Sequence, residues 1–209
     1  MAPIKNRPFL EYQLDYWIAQ GVDHFVLSVG YRHEVIVEHF GNSYRGVKLD
    51  YSIEQAPLGT GGALLLAAEK IACDIPFLLL NGDTFFTVDL KILDKFCQAH
   101  NADWCFSLFR AEEEGRYMGI EVSSQGRINS LNSGMGQRGR LANGGVYWVH
   151  PRALFGGRFT SRQGISLEND IFPAAMASGQ KLFGVEFPGI FIDIGVPDDY
   201  RRASTVLTG

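Results

Sequence analysis

Two carboxylates stand out by their settings. Asp83 closes the run Phe77-Leu78-Leu79-Leu80-Asn81-Gly82-Asp83, and Asp193 lies inside Phe191-Ile192-Asp193-Ile194-Gly195. Four apolar residues in a row predict a short strand buried on both faces. Ligands of open parallel sheets gather at the carboxyl ends of such strands, so Asp83 is delivered to where chemistry is done. Asn-Gly-Asp is equally a turn former. An aspartate between Ile192 and Ile194 is costly to bury without a partner or a cation, which favours a function for it. A third feature is Gln55-Ala56-Pro57-Leu58-Gly59-Thr60-Gly61-Gly62-Ala63, between a strand and a helix. Amides at a helix N-terminus and glycines that permit close approach can hold an anion or a flat base. The same glycines would serve a tight strand-to-helix turn, and they lack the G-x-G-x-x-G spacing of a dinucleotide site. Ser166 can cap a helix with Glu168 in its first turn, where a carboxylate also simply answers the helix dipole. The stretch from Ser133 to Arg140 is glycine-rich and basic, and suits either a phosphate-handling loop or a solvated turn.

Composition narrows the class. A chain of 209 residues, 46% hydrophobic, is long enough for a single α/β domain with a full core. A net charge of -4 and a pI near 5.7 exclude a basic nucleic-acid footprint. Cys73, Cys97 and Cys105 form no C-x-x-C pair, so a disulfide framework and a zinc knuckle are both unsupported. The five histidines lack metal-ligand spacing, and no G-x-S-x-G or P-loop is present. No apolar run reaches transmembrane length and the first residues carry no signal-peptide pattern. A cytoplasmic protein without a membrane partner is expected.

Helices are expected from Pro8 to about Gln20, from Glu34 to Phe40, from the glycine stretch to about Ile71, over 90–100, over 167–178 and from Pro197. Strands are expected over 25–29, 47–53, 77–80, 104–108, 117–122, 128–131, 141–149, 182–187 and around Asp193. Glu112-Glu113-Glu114 reads as a solvated loop. The β-α-β rhythm of the first half predicts an open, mostly parallel Rossmann-like sheet flanked by helices, with antiparallel additions in the second half.

In order, these stretches resemble the sugar-phosphate nucleotidyltransferase family. The resemblance is carried by Met1-Ala2-Pro3-Ile4, Arg7-Pro8-Phe9-Leu10-Glu11-Tyr12, Val26 to Gly30, Pro57 to Ala63 and Leu80-Asn81-Gly82-Asp83. It continues through Tyr117-Met118-Gly119, Asn143-Gly144-Gly145-Val146-Tyr147, Ser166-Leu167-Glu168 and Phe191 to Tyr200. The run from Arg7 to Tyr12 and the ending are most similar to the branch of heptose and mannose 1-phosphate guanylyltransferases. The resemblance implies a GT-A-like fold and partners that are a nucleoside triphosphate, GTP in that branch, and a sugar 1-phosphate. It also implies Mg²⁺ as cofactor, held by Asp83 and Asp193, since hard carboxylate oxygens suit that ion. Glu54 or Gln55, with Leu58, Gly59, Thr60 and Gly82, would take the nucleotide. Gly119, Asn143, Gly144 and Glu168 would face the sugar. A homo-oligomer is compatible with the resemblance.

Two departures bear on activity. The family pattern opens with a buried strand, a G-G-x-G-T-R-L loop and a lysine ahead of the Met-x-Pro segment with which this sequence starts. Where the family carries Glu-Lys after the strand at 128–131, this sequence has Asn132-Ser133-Gly134. The opening strand would stand between those at 25–29 and 77–80, so either the start is misassigned or trimmed, or the sheet closes up, or another chain supplies a strand. A non-catalytic sugar-nucleotide-binding or regulatory relative is the competing reading. A glycosyltransferase is a weaker one, because Asn81-Gly82-Asp83 only half meets D-x-D.

Overall fold

The computed structural model describes residues 1–71, 74–111, 117–132, 138–154 and 164–207. Cys73, the acidic triplet 112–114 and residues 133–137 of the basic stretch lie outside the described residues. Two short strands, β1 (Pro3–Ile4) and β2 (Arg7–Pro8), lead into helix α1 (Phe9–Ala19). Then come β3 (His24–Val29), α2 (His33–Phe40), β4 (Ser43–Tyr44), β5 (Val47–Ile53) and α3 (Gly59–Ala68). Next are β6 (Phe77–Leu80), β7 (Thr84–Phe86), α4 (Leu90–His100) and β8 (Trp104–Arg110). The second half adds β9 (Gly119–Val122), β10 (Ile128–Asn132) and β11 (Leu141–Val149). A π-helical turn (Leu167–Ile171) runs into α5 (Phe172–Ala177), and β12 (Leu182–Glu186), β13 (Phe191–Asp193) and α6 (Pro197–Val206) close the chain.

The fold is mixed α/β, as the rhythm of the sequence predicts. Parallel pairing among the described residues is confined to β3 with β5 and β8 with β12. The reason is the long strand β11, which lies antiparallel to both β6 and β8 and so sits at the centre of the larger sheet. Its neighbour β8 alternates between two cores, because successive strand residues face opposite sides. Trp104, Phe106 and Leu108 meet α3 and α5 on one face, while Cys105 and Phe109 join Trp17 of α1 and Leu93 of α4 on the other. Helices on both faces account for the nearly continuous apolar runs of β8 and β11.

The sheet does not close up. β3 pairs with β5, and β6 pairs with β11, but no described strand bonds the second edge of either. Both edges nonetheless share the same flanking layers. Phe25, Leu78 and Leu80 pack into one cluster with Trp17, and α3 contacts β3 while its Leu65 packs with Phe77 and Leu79. All four residues of Phe77-Leu78-Leu79-Leu80 consequently remain partly exposed, unlike the strand buried on both faces that the sequence predicts.

Helix α1 also carries a charged seam. Arg7 donates to Glu11 at 2.9 Å and to Asp15 at 2.5 Å, and the His39 ring of α2 lies 2.8 Å from Glu11. Burial pushes the Glu11 carboxyl up, but the hydrogen bonds and charges of Arg7 and His39 outweigh it and hold the group below its ordinary value of 4.5. A depressed folded value stabilises fully above that ordinary value and is lost as pH falls through the folded one. Glu11→Gln is expected to lower the urea midpoint at neutral pH by an amount worth under about 1 kcal/mol. The difference should vanish once the parent carboxyl is protonated, which urea curves across an acid series will show.

Candidate active site

β6 delivers the Asn81-Gly82-Asp83 turn, and three contacts hold it. The Asn81 amide donates to the Gly145 carbonyl at 2.9 Å. The buried Gln13 side chain of α1 donates to the carbonyls of Asn81 (2.9 Å) and Thr84 (2.5 Å), bracketing Asp83. The amide of Ile194 donates to the Asp83 carbonyl at 2.9 Å. Strand β7, absent from the sequence-based reading, explains how the second carboxylate arrives. It pairs antiparallel with β13, setting Asp193 opposite Thr84.

The two carboxylates converge beside Gly195. A Cβ placed on that glycine would stand 3.0 Å from Asp193 Oδ1 and 3.4 Å from Asp83 Oδ2. The Gly195 amide donates to Asp193 Oδ1 at 3.0 Å, and the Thr84 hydroxyl donates to Asp83 Oδ1 at 3.3 Å. Asp83 is exposed and Asp193 half-buried, so the burial cost expected for Asp193 is partly relieved. Two hard carboxylates, one exposed and one half-buried, suit Mg²⁺, which commonly takes one or two protein carboxylates and fills its shell with waters and phosphate oxygens. Among the described residues no group of three or more metal-ligating side chains offers a closed cage instead.

A bulge in β11 builds the adjoining wall. Asn143 pairs with Leu108 and Tyr147 with Phe106, so two extra residues are accommodated between them. Gly144 fits because a Cβ there would meet the Phe86 ring at 2.5 Å. Gly145, at φ +70°, would drive one to 2.8 Å from the Asn81 side chain. Gly145→Ala is expected to cost about 2 kcal/mol from left-handed strain plus that clash, read as a lower midpoint in thermal or urea unfolding. The Asn143 amide donates to the Met118 carbonyl at 3.0 Å, and Ala142 pairs with Gly119, which places the buried Gly119 beside this wall. Burial, followed by the charges of Glu168 and Asp83, raises the Tyr147 phenol, while its bond with Asn143 opposes the shift. Glu168 itself is exposed in the π turn, behind the Ser166 cap that accepts from Asn169.

The glycine stretch is more occupied than its sequence implies. Glu54 accepts from the Leu58 amide at 2.9 Å, and Gln55 is exposed. Gly59, at φ +75°, would place a Cβ 2.3 Å from the Ile165 carbonyl. That carbonyl takes the amides of Gly61 (2.8 Å) and Gly62 (3.4 Å), and the Thr60 hydroxyl accepts from Leu167 at 2.9 Å. Two amides near the helix N-terminus, those of residues 61 and 62, are therefore satisfied internally, and the turn is strapped to the segment that presents Glu168. Gly82 has open space where a Cβ would stand.

The nucleotidyl transferase family model matches residues 1–208. The chain belongs to the nucleotidyl transferase family. It is 39% identical over 208 residues to a D-glycero-α-D-manno-heptose 1-phosphate guanylyltransferase of Aneurinibacillus thermoaerophilus, covering 99% of this chain and 88% of that protein. It is 32% identical to a mannose-1-phosphate guanyltransferase of Schizosaccharomyces pombe, over 93% of this chain and 54% of that one. The crystal structure of HddC from Yersinia pseudotuberculosis complexed with GMP-PN superposes with a TM-score of 0.86 at 27% identity, covering 100% of this chain and 89% of that chain. These similarities support an enzyme of nucleotidyl transfer and do not favour the non-catalytic reading.

Within this nucleotidyl transferase, Asp83, Asp193, Gly82 and the Asn143–Gly144 bulge are brought to one place. Glu54, Leu58, Gly59 and Thr60 form a second cluster with the 165–167 strap. Gln13 goes unnoticed in the sequence, and Tyr147 enters it only as the last residue of the Asn143-Gly144-Gly145-Val146-Tyr147 stretch, with no role of its own. Gln13 stands next to Leu14 on a helix marked by its apolar stripe, and a polar amide beside that stripe is the available signal. Tyr147 sits in a strand buried along nearly its whole length, with only a hydroxyl to mark it.

Proposed function

We propose that this chain transfers GMP from GTP to a sugar 1-phosphate of the heptose or mannose type, forming the GDP-sugar and releasing pyrophosphate. A phosphate oxygen of the sugar 1-phosphate attacks the α-phosphorus in line, the new P–O bond forms as the bond to the bridging oxygen of the β-phosphate breaks, and pyrophosphate leaves. The protein's part is positioning and charge neutralisation, with no covalent intermediate on a side chain. Asp83 and Asp193 would hold Mg²⁺, which when bound offsets the negative charge gathered on the phosphates. Gly119, Asn143, Gly144 and Glu168 orient the sugar, and Glu54, Gln55, Leu58, Gly59, Thr60 and Gly82 take the nucleotide. The use of nucleoside triphosphate suits a cytoplasmic enzyme, and no described helix is long and apolar enough to cross a membrane.

The observation that carries this reading is the convergence of Asp83 and Asp193 at Gly195, beside the Asn143 wall. The test is release of pyrophosphate with Mg²⁺, GTP and either mannose 1-phosphate or D-glycero-α-D-manno-heptose 1-phosphate. Release that depends on both substrates is expected. No release across a panel of sugar 1-phosphates and nucleotides would overturn it.

A further inference from the structure

The Asn143 side chain is oriented from two sides. Its Oδ1 lies 3.2 Å from the Gly145 nitrogen, and its Nδ2 lies 2.6 Å from the Tyr147 hydroxyl. A backbone N–H can only donate, so the carboxamide oxygen must face Gly145 and the nitrogen must face the phenol oxygen, which accepts. The bulge makes this possible by adding two residues between Asn143 and Tyr147, with Gly145 in the left-handed region. The phenol cannot drift. Tyr147 is 1% exposed, its ring edge-on to Phe106 with centroids 5.0 Å apart and tilted against Phe172 at 5.4 Å.

We propose that Tyr147 is a positioning residue for sugar recognition, acting through Asn143. Its hydroxyl consumes one N–H of the carboxamide, and Gly145 consumes one lone pair of the oxygen. One N–H and one lone pair remain, in a set order, and together they complement two neighbouring hydroxyls, one accepting and one donating. Preorganisation of this kind saves the ligand the cost of ordering the amide. The inference rests on the nucleotidyl-transfer reading for its ligand and on the hydrogen-bond geometry for its mechanism.

Calorimetric affinities for mannose 1-phosphate and for the heptose 1-phosphate test it in the parent, Tyr147→Phe, Asn143→Ala and the double variant. Tyr147→Phe is expected to bind sugar phosphate about tenfold more weakly, the scale of one hydrogen bond, with GTP affinity unchanged. The double variant is expected to bind no more weakly than Asn143→Ala alone, because Tyr147 acts only through the amide. Parental affinity in Tyr147→Phe, or losses that multiply in the double variant, overturns the proposal. If the parent binds neither sugar phosphate, the functional reading fails, and proton exchange at the Asn143 side-chain amide then decides the role of Tyr147. Slow exchange in the parent that quickens at least about tenfold in Tyr147→Phe supports it. Fast exchange in the parent, or equal rates in both, overturns it without reference to any ligand.

Discussion

Asp83→Asn is expected to slow pyrophosphate release by about a thousandfold at saturating substrate, and Asp193→Asn by a similar factor. Each change keeps the shape of the side chain and removes one negative charge from the pair beside Gly195. The fold should tolerate both. Either carboxamide keeps an oxygen for the donor that its parent carboxylate serves, the Thr84 hydroxyl at position 83 and the Gly195 amide at position 193, and the β7–β13 pairing depends on backbone alone. Two carboxylates acting on one ion form a unit, so the double variant is expected to be no more than about tenfold slower than either single one. Affinity for sugar 1-phosphate should stay within about twofold, because Asn143 and Glu168 are carried by other elements than the metal pair. Stopped assays of pyrophosphate release, with calorimetry on the same proteins, check both halves. A parental rate in Asp83→Asn removes this carboxylate from the mechanism, whatever happens at Asp193.

The convergence of those two residues shows what the sequence can and cannot convey. The apolar run before Asp83 and the apolar flanks of Asp193 mark each as unusual, and this follows from local periodicity and the cost of burying charge. Their meeting depends on β7, three residues long and following directly on the turn, too short for a periodic signal. Helix α4 is legible over its full length, since Asp89 caps it by accepting from Ile92 and Asn101 ends it in the left-handed region. The glycine stretch is legible as a strand-to-helix turn but not in its use. Gly59 and Gly61 read as room for a ligand, whereas part of that room is filled by Ile165, far along the chain. The order of parallel and antiparallel strands is hidden for a similar reason, because β11 is largely apolar and its direction between β6 and β8 is set by tertiary packing. Tyr147 illustrates the limit from the other side. A hydroxyl inside a core strand is invisible to hydrophobic pattern, and only the bulge created by Gly144 and Gly145 brings it under Asn143.

The edges of β3 and β6 that no described strand pairs lead to the second large effect. Joining an apolar strand and a glycine-rich loop of the family pattern ahead of Met1 is expected to raise both stability and turnover. A strand lying between β3 and β6 satisfies backbone donors and acceptors on two edges at once, each bond contributing about 1 kcal/mol. It also removes Phe77, Leu78, Leu79 and Leu80 from water, at about 25 cal/mol per Å² of apolar surface. Against this stands the ordering of the added residues, about 1–2 kcal/mol each for the backbone. A net gain of about 2 kcal/mol or more is expected, seen as a higher urea midpoint. Hydrogen exchange locates the effect, since amides and their partners along β3 and β6 should move from local opening toward global protection while those of β9 and β10 stay unchanged. Turnover is expected to rise at least about a hundredfold, because the loop adds backbone donors for the phosphates at the carboxyl ends of these strands, where Asp83 stands. A control insert with proline at alternate positions cannot bond both edges and should give neither change. Equal protection of Leu78 to Leu80 with the apolar and the proline inserts would show that the gap between β3 and β6 does not take a strand.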